Sequence, residues 1–504
     1  MSVITRNILA NLAGKTWAGL IWLAFVPVYL SFMGVEAYGL VGLFFTLTAV
    51  LSTLDLGLST TINRELARLS AQGEKRGSMR DVLRTLESLY WAIALLIGTA
   101  LVVSSPLIAQ YWLKPEALSP EAVRLTVVLI GLTIAVQWPS ALYTGGLLGI
   151  QRHVLLNGVV SSIVTVRAVG AVMVLWLLSP TPQAFFAWQL LMGVLHTAAL
   201  GYCLWRSLAQ PNHRARFDPQ LLRGLWRYAA GASGIAIFGT LAAQLDKIIL
   251  SAILPLDAFG YYSIAALVAS ALYYLIAPIT SSVFPRFAQL GASQANVDLA
   301  RTYHKSCQLA AVATLPAAVF VALFSYEILE LWTRNTQVAQ QAHIVLSILM
   351  AGTALNGLVL LSFSLQLASG LVKLGLYANL SSVIIAAPCL VYFASRYGAT
   401  GGAAVWLLLN LGLFVIVVPM MHRFLPTVQD LRWYAVDTMR PLGASVLVLA
   451  LARWLIPERQ PDFTMAAYLA VALAASYAAA ILAAPDVRKL ALERMNWKRG
   501  SRQL

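Results

Sequence analysis

Glu36-Ala37-Tyr38-Gly39 recurs, at the same point of a second apolar run, as Asp257-Ala258-Phe259-Gly260. The offset is 221 residues, from Glu36 to Asp257, and it continues without a gap. Ser59-Thr60-Thr61 falls on Thr280-Ser281-Ser282, and Ala67, Leu69 and Ala71 fall on Ala288, Leu290 and Ala292. Matches among small and apolar residues arise by chance between any two apolar runs. An acidic residue, alanine, an aromatic and glycine in that order at one topological position is a stronger signal, and it predicts two copies of one unit in series.

The medium around those copies follows from composition. Of 504 residues, 60% are apolar and 11% charged, and mean hydropathy is +0.76. An average soluble domain carries about 25% charged residues, so a soluble enzyme, a disordered chain and a secreted disulfide scaffold are all excluded. A membrane pass takes about 20 apolar residues. About fourteen such runs can be read by that criterion, beginning near Leu12, Tyr38, Leu86, Leu125, Leu155, Ala184, Ala229, Phe259, Tyr303, His343, Leu374, Gly401, Val436 and Met465. The first reads as a span rather than a cleaved signal, because no small-residue cleavage site leads into a soluble domain.

Basic residues orient these spans. With both termini placed inside, twenty-seven of the 35 Lys and Arg lie on inside segments, six lie outside, and Arg167 and Lys247 stay within spans. This bias predicts cytoplasmic N- and C-termini. It also accounts for the net charge of +15 as an inner membrane face rather than a nucleic-acid surface. Trp112 and Trp332 fall at predicted outer ends, and Trp205, Trp226, Trp433 and Trp497 at inner ends, where indoles favour the headgroup level. Cys203, Cys307 and Cys389 have no partner at metal or redox spacing and read as small apolar fillers.

Six spans separate the copies, so both keep one orientation and the repeat is parallel. The predicted fold is all-α and polytopic: a six-helix lobe over 1–206, a cytoplasmic linker over 207–227, a second lobe over 228–420, an additional helix pair with its preceding loop over 421–484, and a basic cytoplasmic tail over 485–504. Two such bundles suit alternating access with a site between them near mid-membrane.

The connections leave little room for enzyme chemistry, since the longest outside segment is about 16 residues, in the range of simple connections. No His-Glu-x-x-His box is present. Ala13-Gly14-Lys15-Thr16 ends like a phosphate loop, but Leu9 stands where the required glycine belongs. The expectation is a non-enzyme with no metal or cofactor.

Polar groups inside spans carry the functional reading, because each charge costs about 2.5–3.5 kcal/mol at mid-membrane on insertion scales. Asp55, Arg167, Asp246 and Lys247 stand out. Thr240, Gln244, Lys247 and Ser251 share one helical face, which serves a cavity or lets Lys247 pair with a carboxylate across the bundle. Ser52, Asp55, Ser59 and Asn63 share another, close to the inner interface, where Asp55 reads as a structural or gate contact. Asn7, Asn11 and Lys15 form a third stripe at the cytoplasmic entrance. Pro27 removes a backbone donor inside the first span and bends it. His196 in the sixth span is either a packing histidine or a proton carrier. Arg167 has only Ile163, Val164, Gly170 and Ala171 one turn away; it either pairs with Asp55 or Asp246 or presents a cationic surface to a ligand.

Gly34-Val35-Glu36-Ala37-Tyr38-Gly39-Leu40, Asp55-Leu56-Gly57-Leu58 leading to Asn63-Arg64-Glu65, Asp246-Lys247 and Leu250-Ser251 together resemble the polysaccharide transporter family of lipid-linked oligosaccharide flippases. That family belongs to the multidrug/oligosaccharidyl-lipid/polysaccharide exporter superfamily. The resemblance covers the first twelve spans and implies flipping of an undecaprenyl-diphosphate-linked sugar unit across the bacterial inner membrane for O-antigen, capsule or exopolysaccharide. On that reading Arg167 and Lys247 hold the diphosphate. Thr240, Gln244, Asn356, Asn379 and Asn410 meet the sugars, and Asp55, Asp246, His196 and Arg64 serve coupling or gating. Membrane lipids, a glycan polymerase and a chain-length regulator are the implied partners. Many members have twelve spans; the further pair here is shared with lipid II flippases. A cation-coupled drug exporter of the same superfamily and a scaffold for glycan enzymes are the rival readings.

Overall fold

The computed structural model describes residues 3–71, 76–208, 215–425, 432–456 and 463–500. Every described element is helical. In the first compact unit, residues 1–260, the helices are α1 (Val3–Leu51), α2 (Leu58–Ala71), α3 (Arg76–Leu107), α4 (Pro120–Gln137), α5 (Ser140–Gly149), α6 (His153–Leu177), α7 (Pro182–Ser207) and α8 (Pro219–Ile253). Then come α9 (Leu256–Ser270), α10 (Tyr273–Ala292), α11 (Asn296–Leu323), α12 (Ser325–Thr333), α13 (Thr336–Ala368), α14 (Val372–Gly412), α15 (Val418–Phe424), α16 (Arg440–Leu455), α17 (Phe463–Ala483) and α18 (Pro485–Gly500).

Ten helices among the described residues are long and apolar enough to cross a membrane, or eleven with the bent α9–α10 pair. The difference from about fourteen has a backbone cause. Gly34 (φ 78°) breaks α1 and Gly398 (φ 60°) breaks α14, so each continuous helix is two helices joined at a kink. α8 supplies a further helix of 35 residues. The protein is thus an all-α, multi-pass membrane chain.

Both copies of the repeat break near the same place. The run from Tyr38 passes through a 3-10 turn at Ser52–Asp55, with Leu56 and Gly57 at positive φ, before α2 begins. The run from Phe259 bends by 41° between α9 and α10. The two copies also touch. A Cβ on Gly39 would lie 2.5 Å from the Leu256 carbonyl oxygen, and a Cβ on Gly260 would lie 2.3 Å from the Val35 carbonyl oxygen. Val35 and Leu256 are themselves one repeat apart, so Gly39 and Gly260 make matching close approaches to backbone. Hydrophobic driving force is weak between helices in lipid, so close approach at small residues matters more there.

The packing boundary does not fall in the 207–227 linker, of which 209–214 lie outside the described residues. α8 packs on α1, α2 and α3 and joins the first unit, which ends at Gly260. Trp112 Nε1 donates to Ser251 Oγ (2.9 Å), Lys114 Nζ to the Ile253 carbonyl (2.8 Å), and the Leu256 amide to the Lys114 carbonyl (2.9 Å). The loop before α4 is fixed by Glu36, whose carboxylate accepts the amides of Glu116, Ala117 and Leu118 (2.7–3.1 Å).

The first unit's core is aromatic: Tyr29, Phe185, Phe186 and Phe44 form a chain of edge-to-face contacts. In the second unit the last helix pair packs on Phe324 through Leu449, Met465, Leu469 and Ala472. Trp433 departs from the interfacial role expected of it. It is only 1% exposed, packed on Phe414 and His422. The side chains of Trp226 and Trp497, and residues Lys75, Arg214, Arg459 and Arg502 of the charge reading, lie outside the described residues.

Candidate functional site

Arg167 stands at mid-helix on α6, 14 residues or about 21 Å from its start. Its backbone is pinned from two sides: Trp188 Nε1 donates to the Arg167 carbonyl (2.9 Å), and Tyr29 OH to the neighbouring Ala168 carbonyl (3.3 Å). The guanidinium is not pinned. Its Nε and Nη2 are buried and have no hydrogen-bond partner among the described residues. Neither predicted ion-pair partner reaches it, because both carboxylates are engaged elsewhere. Asp55 accepts from Tyr90 OH, from Ser59 Oγ (2.7 Å) and from the Ser59 amide (3.3 Å), satisfying a donor freed where the helix breaks. Asp246 holds Lys247 Nζ at 3.2 Å.

More donors without partners lie near Arg167. His196 on α7 is within electrostatic reach of it, as is Tyr29 on α1. Gln189, Gly193 and His196 repeat at four and three residues along α7 and share a face. Gln137 of α4 lies against Gly193, its Nε2 3.1 Å from where a Cβ would stand. The Nε2 atoms of Gln137, Gln189 and His196 are all buried without a partner among the described residues. Amide NH2 groups only donate, and so does a guanidinium. A region lined by such groups matches an acceptor-rich, anionic ligand. Gln137 and Gln189 were not foreseen; the small-residue gap at Gly193 between Gln189 and His196 is the only trace they leave in the sequence.

Other predicted site residues divide. Lys247 lies on its predicted stripe with Thr240, Gln244 and Ser251, but its charge is already compensated by Asp246, and Ser251 accepts from Trp112. Arg64 is exposed on α2, and Asn379 is half-buried on α14. Asn410 is fully buried, its Oδ1 accepts from Asn356 Nδ2 (2.7 Å) and its Nδ2 donates to the Trp406 carbonyl (2.8 Å). Tyr273 OH donates to Asn356 Oδ1 (2.8 Å). These hydrogen bonds tie α10, α13 and α14 together and engage one N–H of each amide. Near the inner end of α3, Glu87 is likewise saturated, accepting from Tyr143 OH (2.7 Å), Trp205 Nε1 (3.0 Å) and Arg84 (3.2 Å). No group of three or more metal-ligating side chains occurs among the described residues.

A multi-pass helical chain with unpartnered polar atoms inside its spans fits the class of membrane transporters. The profile of the family described as "Polysaccharide biosynthesis protein" matches residues 4–291, more than half of the chain, and the protein belongs to that family. The profile described as "MatE" matches residues 236–393. A relative from Shigella flexneri, "Putative O-antigen transporter", is 22% identical over 407 residues, covering 81% of this chain and 94% of its own. Among solved structures, "Lipid II flippase MurJ, inward closed conformation" superposes with TM-score 0.69 at 13% identity, covering 95% of this chain and 98% of that one. An inward-facing multidrug resistance MATE family transporter of the MOP superfamily superposes with TM-score 0.64 at 15% identity, covering 83% and 94%. These relatives are transporters and flippases, not enzymes.

Proposed function

We propose that the protein flips a polyprenyl-diphosphate-linked oligosaccharide across the bacterial inner membrane by alternating access, with both termini cytoplasmic, for surface polysaccharide assembly. The observation that carries this reading is that two nitrogens of the Arg167 guanidinium are buried with no hydrogen-bond partner among the described residues. An unpaired cation at that depth is costly, and a diphosphate in transit would offset the cost through charge-assisted, bidentate hydrogen bonds. The prenyl tail stays in lipid while the head group crosses. Family membership and the Shigella flexneri relative support a glycan-linked substrate. Thr240, Gln244 and Asn379 remain sugar contacts in this proposal. Lys247 is a secondary phosphate contact, Asp246 and His196 are coupling groups, and Arg64 is a gate group.

The full-length match to a lipid II flippase favours a second reading, in which the cargo is a peptidoglycan precursor with the same diphosphate. A deletion strain separates the readings. Loss of surface glycan with normal growth supports the first. Arrest with accumulated cell-wall precursor supports the second. Drug sensitivity with intact glycan would overturn both in favour of a drug exporter.

A further inference from the structure

The second unit holds a buried network of titratable groups that the transport reading does not use. We propose that His304 and Asp437 form a proton-binding site that clasps the last two helices and the tail helix to the rest of that unit. His304 on α11 is 3% exposed and Asp437 is fully buried; His304 Nδ1 is hydrogen-bonded to Asp437 Oδ2. Gln308, one turn further along α11, spends a single NH2 on two carboxylates, donating to Asp437 Oδ1 (2.8 Å) and to Asp486 Oδ2 (2.9 Å). Its carbonyl oxygen accepts the Asp486 amide (2.9 Å) at the start of α18. Arg432 completes the chain, 3.3 Å from Asp486 Oδ2, and the Asp486 side chain is 36% exposed. Gln308 therefore links the partly exposed Asp486 to the buried pair by hydrogen bonds.

The backbone is unusual at this site. Asp437 lies in a π-helical stretch, Trp433–Met439, and a second π-helical stretch, Leu413–Val417, packs beside it. Tyr434 OH donates to the Phe414 carbonyl (2.6 Å), and the Phe414 and Trp433 rings are 5.0 Å apart. Such stretches are rare and concentrate at functional positions.

The charge balance makes the pair sensitive to protons. Facing it from α11 itself are Tyr303 and the Cys307 thiol. α15 contributes His422, whose Nε2 is 3.0 Å from Tyr303 OH, and α13 contributes Ser362, 2.6 Å from the same hydroxyl. α18 contributes Asp486, with Arg432 beyond it. Arg286, Arg301, Lys305, Arg440, Arg488 and Lys489 are exposed. Tyr477 of α17 donates to the Ala313 carbonyl, and Glu327 of α12 pairs with Arg453 of α16. With one proton, His304 is an imidazolium against the Asp437 carboxylate, and both charges are paired. Taking one more proton from water leaves a buried imidazolium beside a neutral acid. Losing the shared proton leaves a buried carboxylate beside a neutral ring. Either change leaves one buried charge uncompensated, so the clasp is tightest in the one-proton state.

Cys307 sits beside the pair, 3% exposed, in contact with Tyr303 and Trp433. Replacing Cys203 and Cys389 by serine leaves it the sole thiol. The test is maleimide labelling of that full-length protein in lipid vesicles across pH, with each rate divided by the rate in the unfolded chain at the same pH. Protection should peak at intermediate pH and fall on both flanks, by up to about tenfold per pH unit for one proton. His304→Gln should keep only the alkaline loss and Asp437→Asn only the acid loss, and the double variant, neutral but still hydrogen-bonding, should be flat. A flat profile in the parent protein, which needs no folded variant, would overturn the proposal. So would single variants that retain both flanks.

Discussion

Two regions of the molecule, one in each unit, handle charge inside a membrane in opposite ways. In the second, His304, Asp437, Gln308, Asp486 and Arg432 satisfy one another in one chain of hydrogen bonds. Around Arg167, two guanidinium nitrogens are buried with no partner among the described residues, and so are the Nε2 atoms of Gln137, Gln189 and His196 on α4 and α7. A satisfied cluster is explained by the fold that contains it. Unsatisfied donors of one kind call for a ligand that brings acceptors.

The largest effect should come from the open side of that contrast. Arg167→Ala should abolish surface glycan in a complemented deletion strain while membrane levels of the protein stay normal. Arg167→Lys should retain part of the activity, because charge survives without the bidentate fork. Full glycan in Arg167→Ala at normal protein level would remove the ligand reading. Loss of the protein itself would place Arg167 among the satisfied, structural charges.

Next in size are the glycine contacts, which involve no charge. Gly39→Ala or Gly260→Ala puts a methyl against a backbone carbonyl, and overpacking of this kind costs about 1–3 kcal/mol. Thermal unfolding in detergent should show a lowered Tm for each variant, and a similar one for both. Unequal shifts would show that the repeat's two contacts are not equivalent in energy.

Asn410→Ala tests the closed side. It strands the Asn356 amide in a buried site, with a cost of about 1–3 kcal/mol, so stability should fall while transport per folded molecule is kept. Selective loss of transport at unchanged Tm would return Asn410 to the sugar site. The smallest effect belongs to Arg124→Ala. Its Glu121 partner is exposed on one turn of α4, where solvent screens such pairs, and neither Tm nor glycan should change measurably.

The membrane class and most helices were legible in the sequence, because span length and apolar content are local quantities. Arg167 was legible for the same reason, as a charge among aliphatic neighbours. Gln137 and Gln189 were not, because an uncharged amide in a span raises no comparable alarm. The partner of Asn410 is not legible, because a polar residue in a membrane helix looks the same whether it faces a ligand or another asparagine 54 positions away. His304 and Asp437 are 133 residues apart, and Cys307 beside them was read as a filler. Nothing in their local surroundings announces that they meet. The same holds for the boundary at Gly260, which depends on where α8 packs.

Gly39 and Gly260 were first noticed as letters in a match, and their exchange of contacts carries a consequence for ancestry. If the two halves of this chain were separate copies of one shorter polypeptide, a single glycine codon would specify both contacts. Every change at it would be felt twice in the assembled pair. Joining the copies in one gene releases that constraint, since each glycine can then drift alone. In this chain both positions are glycine, while the aligned neighbours differ, Glu36 against Asp257 and Tyr38 against Phe259, so the match is strict where a methyl would meet a backbone carbonyl and loose beside it.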